Sequence, residues 1–225
     1  MNQNKMVKRI IVYVIGVLTL ALGVVLNTKS GLGVSTTNSV PFVVSKGTML
    51  TLGQACTIVY LADVLFQCII FRKIKIKVIL QFPFSIVFGL IVDMFNKIII
   101  LSNPDLGIKI VFLALGIILS AVGISMVVNM DFVPNPPDGA VQALVALLKR
   151  PFGRSKIVYD GIMLIIAVTV SLLLNGKILG IGIGTLIAFF TIGNTISLIN
   201  KKFGAFFLSI HDKNEKNSVA KVAQN

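Results

Sequence analysis

Cys56, Tyr60, Asp63 and Gln67 follow one another at spacings of four, three and four within an otherwise apolar run. On a helix, that spacing puts a thiol, a phenol, a carboxylate and an amide on one face. A carboxylate inside a bilayer is costly and usually looks into a bundle interior or marks a pathway. The stripe therefore reads either as a surface that contacts a solute or cation, or as an interhelical hydrogen-bond network. Asp160 enters another apolar run from its basic end and is a second candidate. Asp93 precedes Lys97 by four residues, the spacing of a local ion pair. Gln81, Ser85 and Asn194 have the character of glue between helices.

Two stretches between the apolar runs carry the remaining polar candidates. In Gly31-Leu32-Gly33-Val34-Ser35-Thr36-Thr37-Asn38, two glycines loosen the chain ahead of four polar residues. Ser, Thr and Asn are preferred helix N-caps, which predicts a short helix near 35–46 beginning at Ser35 or Thr36. In Val133-Pro134-Asn135-Pro136-Pro137-Asp138-Gly139 the prolines forbid an earlier helix. Asn135 as cap and Pro136 at the first position predict a second short helix near 136–149. Both are too short to cross a bilayer and too apolar for ordinary loops, which predicts re-entrant segments. Their N-terminal amides favour an anion or a polar ligand head. Asp63, Gln67, Tyr60, Ser35, Thr36, Asn38, Asn135, Asp138 and Asp160 are thus the candidate substrate-binding residues.

The chemistry that is missing is equally informative. No histidine lies in an apolar run, Cys56 and Cys68 have no catalytic partner, and no metal-ligand spacing occurs. The chain is expected to be no enzyme and to need no cofactor and no metal. The run Gly180-Ile181-Gly182-Ile183-Gly184 lacks the basic and hydroxyl residues of a phosphate loop and predicts close packing instead.

These candidates must be positioned by elements that live in lipid. The chain is 56% hydrophobic and only 13% charged, with a mean hydropathy of +0.95. A soluble domain carries about a quarter charged residues, so soluble, disordered and disulfide-scaffold classes are excluded. The net charge of +13 sits at the ends of apolar segments, where it orients helices, and nucleic acid is not expected as a partner. Segments of about 20 apolar residues occur at Ile10–Asn27, Thr51–Phe71, Val78–Ile100, Ile108–Met130, Ile157–Leu174 and Ile178–Asn200. The first follows a basic head and reads as an uncleaved spanning helix. With the N-terminus inside, sixteen of the 21 basic residues are cytoplasmic, which predicts a cell-membrane protein with both termini in the cytoplasm. The loop Arg72–Lys77 is expected inside and Ser102–Lys109 outside.

The halves also resemble each other. Gly16, Ala21, Gly23 and Gly53 recur as Gly116, Ala121, Gly123 and Gly153, and Ile58-Val59-Tyr60 as Ile157-Val158-Tyr159. Each half reads as long helix, short helix, helix, helix, and three spans per half require the second to be inverted. The predicted fold is all-α: six transmembrane helices as two inverted three-helix repeats, each with a short re-entrant helix. Residues 1–9 form a cytoplasmic N-terminus, 10–100 the first repeat, 108–200 the second, and 201–225 a polar cytoplasmic tail in which His211 is solvated.

Lys29-Ser30-Gly31-Leu32-Gly33, Pro137-Asp138-Gly139 and the glycine-rich start of the sixth helix ending in Ile192-Gly193-Asn194 resemble the YczE/YyaS/YitT-type family of bacterial integral membrane proteins, over most of Arg9–Lys201. Relatives often continue the first motif into a proline and an aromatic residue, where Val34-Ser35-Thr36 stands here. The resemblance implies a multi-pass membrane protein with proposed roles in transport or in regulating exported metabolites. Inverted repeats with short central helices favour a small transporter or permease for a small solute. Two alternatives stand beside it: a membrane regulatory or assembly protein that moves nothing, and a substrate-capture subunit of a larger complex. The lipid bilayer and a small-molecule substrate are the expected partners; a homo-oligomer or a membrane partner is left open.

Overall fold

A computed structural model describes residues 3–72, 76–101, 104–150 and 152–210. Lys73, Lys75, Ser102 and the tail 211–225, with His211, lie outside the described residues. Among the described residues the chain is helical, without strands: α1 (Gln3–Lys29), α2 (Thr36–Gly47), α3 (Leu52–Phe71), α4 (Ile76–Ile79), α5 (Gln81–Ile98), α6 (Leu106–Met130), α7 (Pro136–Leu148), α8 (Phe152–Asn175) and α9 (Ile183–Ile210). Six helices, counting α4 and α5 as one, are long and apolar enough to cross a membrane. The outward faces carry residues that no soluble surface would bear, such as Leu65, Leu90, Leu173 and Ile183.

The central pair is α1 against α6, held together by small residues. A Cβ on Gly23 would fall 2.5 Å from the Ser120 amide nitrogen, and one on Gly123 2.5 Å from that of Leu20. Gly16 faces Met126 and Val127 in the same way, and Gly116 faces Asn27. Numbers rise along α1 as they fall along α6, so the two helices run antiparallel. Without side chains at these points the backbones come close enough for dispersion to hold them, the usual basis of helix association in lipid. Val17, Leu20, Ala21, Val24 and Val25 on α1 continue this seam into the main core with Cys56 and Tyr60 of α3 and Phe88 and Val92 of α5.

The short helices are exchanged between the halves. α2 packs mainly on α8, and α7 packs on both α3 and α8. α3 begins with a capping box: the Thr51 side chain accepts from the Gln54 amide while the Gln54 side chain accepts from the Thr51 amide. The Asp93 carboxylate of α5 reinforces that start by accepting from the Thr51 hydroxyl and the Gly53 amide. This corrects the expected Asp93–Lys97 pair, because free amides at a helix start compete for a carboxylate more effectively than an exposed lysine.

Four boundaries differ from expectation. The segment 1–9 is helical from Gln3 onward and α9 runs on to Ile210, past Lys201 and Lys202. Charges end the lipid-facing part of a helix, not its backbone hydrogen bonds. The expected start of the last span at Ile178 is wrong because Gly176 and Gly180 adopt positive φ and the chain turns there. The third span divides into α4 and α5 around Leu80, since Pro83 has no N–H to donate to Ile79. The glycine run packs closely, as expected: Val34 N–H donates to the Gly180 carbonyl (2.7 Å) and Gly184 N–H to that of Leu32 (2.9 Å).

Candidate functional site

The α3 stripe is buried as its spacing predicts, with Cys56, Tyr60, Asp63 and Gln67 all at most 3% exposed. Tyr60 lies about 12 Å along α3 from Leu52 at 1.5 Å per residue. Its hydroxyl donates to Asn38 Oδ1 (3.3 Å), the Asn38 amide donates to Ser35 Oγ (2.9 Å), and Ser35 N–H donates to Asn27 Oδ1 (2.8 Å). This relay ties the first turn of α2 to the stripe. Ser35 is the α2 N-cap, yet its hydroxyl makes no capping bond because Asn38 occupies it. Thr36 is buried in the same turn, where its carbonyl accepts from the Ser39 hydroxyl (2.6 Å).

The first turn of α7 approaches the same tyrosine from the other side. Asn135 precedes the helix and Pro136 and Pro137 begin it. The Asn135 side chain reaches both Tyr60 and Asp138. The first turns of the two short helices therefore both reach Tyr60 on α3. Asn135 makes no side-chain cap, and its Oδ1 and the Asp138 Oδ2 are buried with no hydrogen-bond partner among the described residues. Burial pushes the Asp138 carboxyl up to about 6, Lys156 pulling it down and Asp160 pushing it further up. The two prolines remove two of the N–H groups that a helix start normally presents. This corrects the expectation of an anion-favouring terminus at α7: few donors are left, and a carboxylate stands among them.

Asp63 faces α8, where the Tyr159 hydroxyl donates to both of its carboxylate oxygens (3.1 and 3.0 Å). Lys156 and Asp138 are its charged neighbours. One turn away, Lys156 Nζ donates to Asp160 Oδ1 (2.7 Å) and Thr37 Oγ1 (2.9 Å) and lies 5.3 Å from the Tyr159 ring centroid. Asp160 is 6% exposed and eight residues into α8, deeper than its place in the sequence suggests. Gln67 is committed elsewhere: it exchanges amide hydrogen bonds with Gln81 (2.7 and 3.0 Å) and donates to the Pro136 carbonyl (3.2 Å). That leaves it a brace between α3, α5 and α7.

Ser35, Asn38 and Asn135 are tied to Tyr60; Asp138 and Asp160 lie with Asp63 around Lys156; Thr36 is buried in the first turn of α2; and Gln67 sits one turn along α3 from Asp63. Sequence reasoning missed Thr37, Lys156 and Tyr159. Lys156 counts as a loop charge when the start of α8 is placed at Ile157, yet its spacing of four from Asp160 was a usable signal. Tyr159 was visible only as the repeat counterpart of Tyr60.

Among the described residues, no group of three histidine, cysteine or acidic side chains is placed to hold a metal ion. The arrangement offers hydrogen-bond acceptors and aromatic rings in a buried, charged interior. No curated protein and no solved structure matches the chain. Residues 7–201 match the model of DUF6198, a family of unknown function, and this membrane-spanning helical chain belongs to that family.

Proposed function

We propose that the protein is a small transporter or permease built from two inverted halves, with its solute site where α2 and α7 begin. The observation that carries this reading is the convergence of both first turns on Tyr60, deep along α3. Short helices whose irregular entries meet inside a bundle are the usual design of midplane substrate sites. The antiparallel α1–α6 pair supports the inversion, because Gly23 over Ser120 is matched by Gly123 over Leu20. The same offset relates Gly16 over Met126 and Val127 to Gly116 over Asn27. The resemblance to YczE/YyaS/YitT-type proteins points the same way. Both termini are then cytoplasmic, and the polar groups bind and pass a solute without transforming it.

The test is ligand-dependent thermal stabilisation of purified protein across a metabolite library, followed by uptake of each hit into proteoliposomes. A hit that accumulates, and fails to do so when Asp63 is replaced by Asn, supports transport. A hit that binds but never crosses sinks it and leaves a sensor.

A regulatory or assembly role has one observation of its own. α9 packs chiefly on α6, and Leu186, Phe190, Leu198, Phe203 and Phe206 remain uncovered. Such a face suits lipid or another helix equally.

A further inference from the structure

Two buried atoms at the start of α7, Asn135 Oδ1 and Asp138 Oδ2, have no hydrogen-bond partner among the described residues. Their residues are 4% and 5% exposed, so water does not compensate them from the surface. Each orphan costs about 1–3 kcal/mol and more when charged, and such groups in a folded protein call for an explanation. Both are acceptors. The group that completes them must donate.

The charge around them points the same way. Among the described residues, Lys156 is the basic neighbour that Asp63 and Asp138 share, and it is already paired with Asp160 at 2.7 Å. A cation would relieve this excess, whereas an anion would add to it. The prolines at the first two positions of α7 have removed the amides that an anion would use. Among cations, a bare metal ion finds no cluster of ligands here. An alkylammonium group needs less: it carries three N–H donors and sits well beside a phenol ring. Asn27 Nδ2, the one orphan donor on the Tyr60 relay, lies three hydrogen bonds away at the α1–α6 seam.

We propose that the first turn of α7 is the recognition point for a small organic ammonium, bound between Asp138 Oδ2 and Asn135 Oδ1 beside Tyr60. This rests on the central site proposed above and names the class of solute it takes.

The experiment measures thermal unfolding of the purified full-length protein with methylammonium chloride, guanidinium chloride, potassium chloride, sodium acetate and sodium phosphate at matched ionic strength. Methylammonium is expected to raise the midpoint in a saturable way, with the other salts giving little. Asp138→Asn should weaken the response at least tenfold in concentration, and Asn135→Ala severalfold. Asp131→Asn, on a half-exposed pair with Lys77, should leave it intact. If Asp138→Asn elutes as aggregate, the Asn135→Ala response carries the same decision. A saturable response to acetate or phosphate that Asn135→Ala abolishes would overturn the ammonium class while keeping the central site. A flat response to every probe, or an unchanged methylammonium response in Asp138→Asn and Asn135→Ala, would overturn the proposal itself.

Discussion

Tyr159 on α8 donates its hydroxyl to both carboxylate oxygens of Asp63 on α3, across 96 residues of chain. Its repeat counterpart, Tyr60, donates instead to Asn38 at the start of α2. Equivalent tyrosines thus serve different partners, and the asymmetry arises because Asp63 has Ile162 at its equivalent place in the second half. On the proposed repeat, the frame holds this carboxylate in one half and not in the other.

Removing one side of that bond separates structure from charge. Tyr159→Phe is expected to cost about 1 kcal/mol, the scale of interhelical hydrogen bonds in membrane proteins. Asp63→Asn keeps an acceptor for Tyr159 and should fold normally while losing solute response. Asp63→Leu strands the phenol and should unfold earlier than either. Detergent-resistance and thermal midpoints of the three variants check the order; equal midpoints for Asn and Leu would contradict it.

Glycines divide into those that touch a neighbour and those that do not. A Cβ on Gly53 would collide with the Gly89 carbonyl, and one on Gly23 with Ser120, whereas one on Gly161 meets nothing. Gly53→Ala and Gly23→Val should lose about 1–3 kcal/mol by overpacking. Gly161→Ala should instead gain up to about 1 kcal/mol from helix propensity. Thermal unfolding of the three proteins distinguishes close approach from mere flexibility.

Asp138 predicts a pH dependence with a definite sign. Burial raises its carboxyl from the ordinary 3.8 to about 6, so the folded chain holds the proton more tightly than the unfolded one. Stability is then greatest below about pH 4 and falls as pH rises through 6, by at most about 3 kcal/mol at 1.36 kcal/mol per unit. The groups that set this are Lys156 and Asp160 of α8, Asp63 and Tyr60 of α3, and Asn135 beside it. Asp138→Asn should flatten that step in unfolding midpoints taken from pH 4 to 8. Methylammonium binding should strengthen over the same interval as the carboxylate forms.

The inverted reading fixes where the short helices emerge. With Cys68 replaced by Ser, a cysteine at Lys46, in the last turn of α2, should react with impermeant maleimide only from outside. A cysteine at Lys149, the C-cap of α7, should react only from inside. Labelling of both from one face would remove the inverted repeat.

Much of this was legible in the residues. The stripe from Cys56 to Gln67 declared its buried face because a polar residue in lipid has only one direction to look. Asn135 and Pro136 marked the start of α7 because proline tolerates few other positions. The partners were not legible. Asp93 lies four residues from a lysine, yet binds the start of a helix 40 residues earlier. Local spacing ranks nearby options, whereas only the packed bundle shows which distant amide is in reach. Lys156 illustrates the same limit: five additional helical residues at the start of α8 convert a loop charge into a central one.

The crossing of Leu32–Val34 with Gly180–Gly184 carries a consequence for biosynthesis. The Val34 N–H and the Leu32 carbonyl find their partners only in a segment made some 150 residues later. Until the ribosome has delivered that segment, the hinge between α1 and α2 holds bare backbone polar groups that lipid cannot satisfy. If α2 is re-entrant as proposed, the nascent chain must keep this hinge at the water interface, or shelter it against the insertion machinery, until α9 arrives. A chain stopped short of Gly180 would insert five spans and still present an open hinge, which marks it for the quality-control proteases of the membrane.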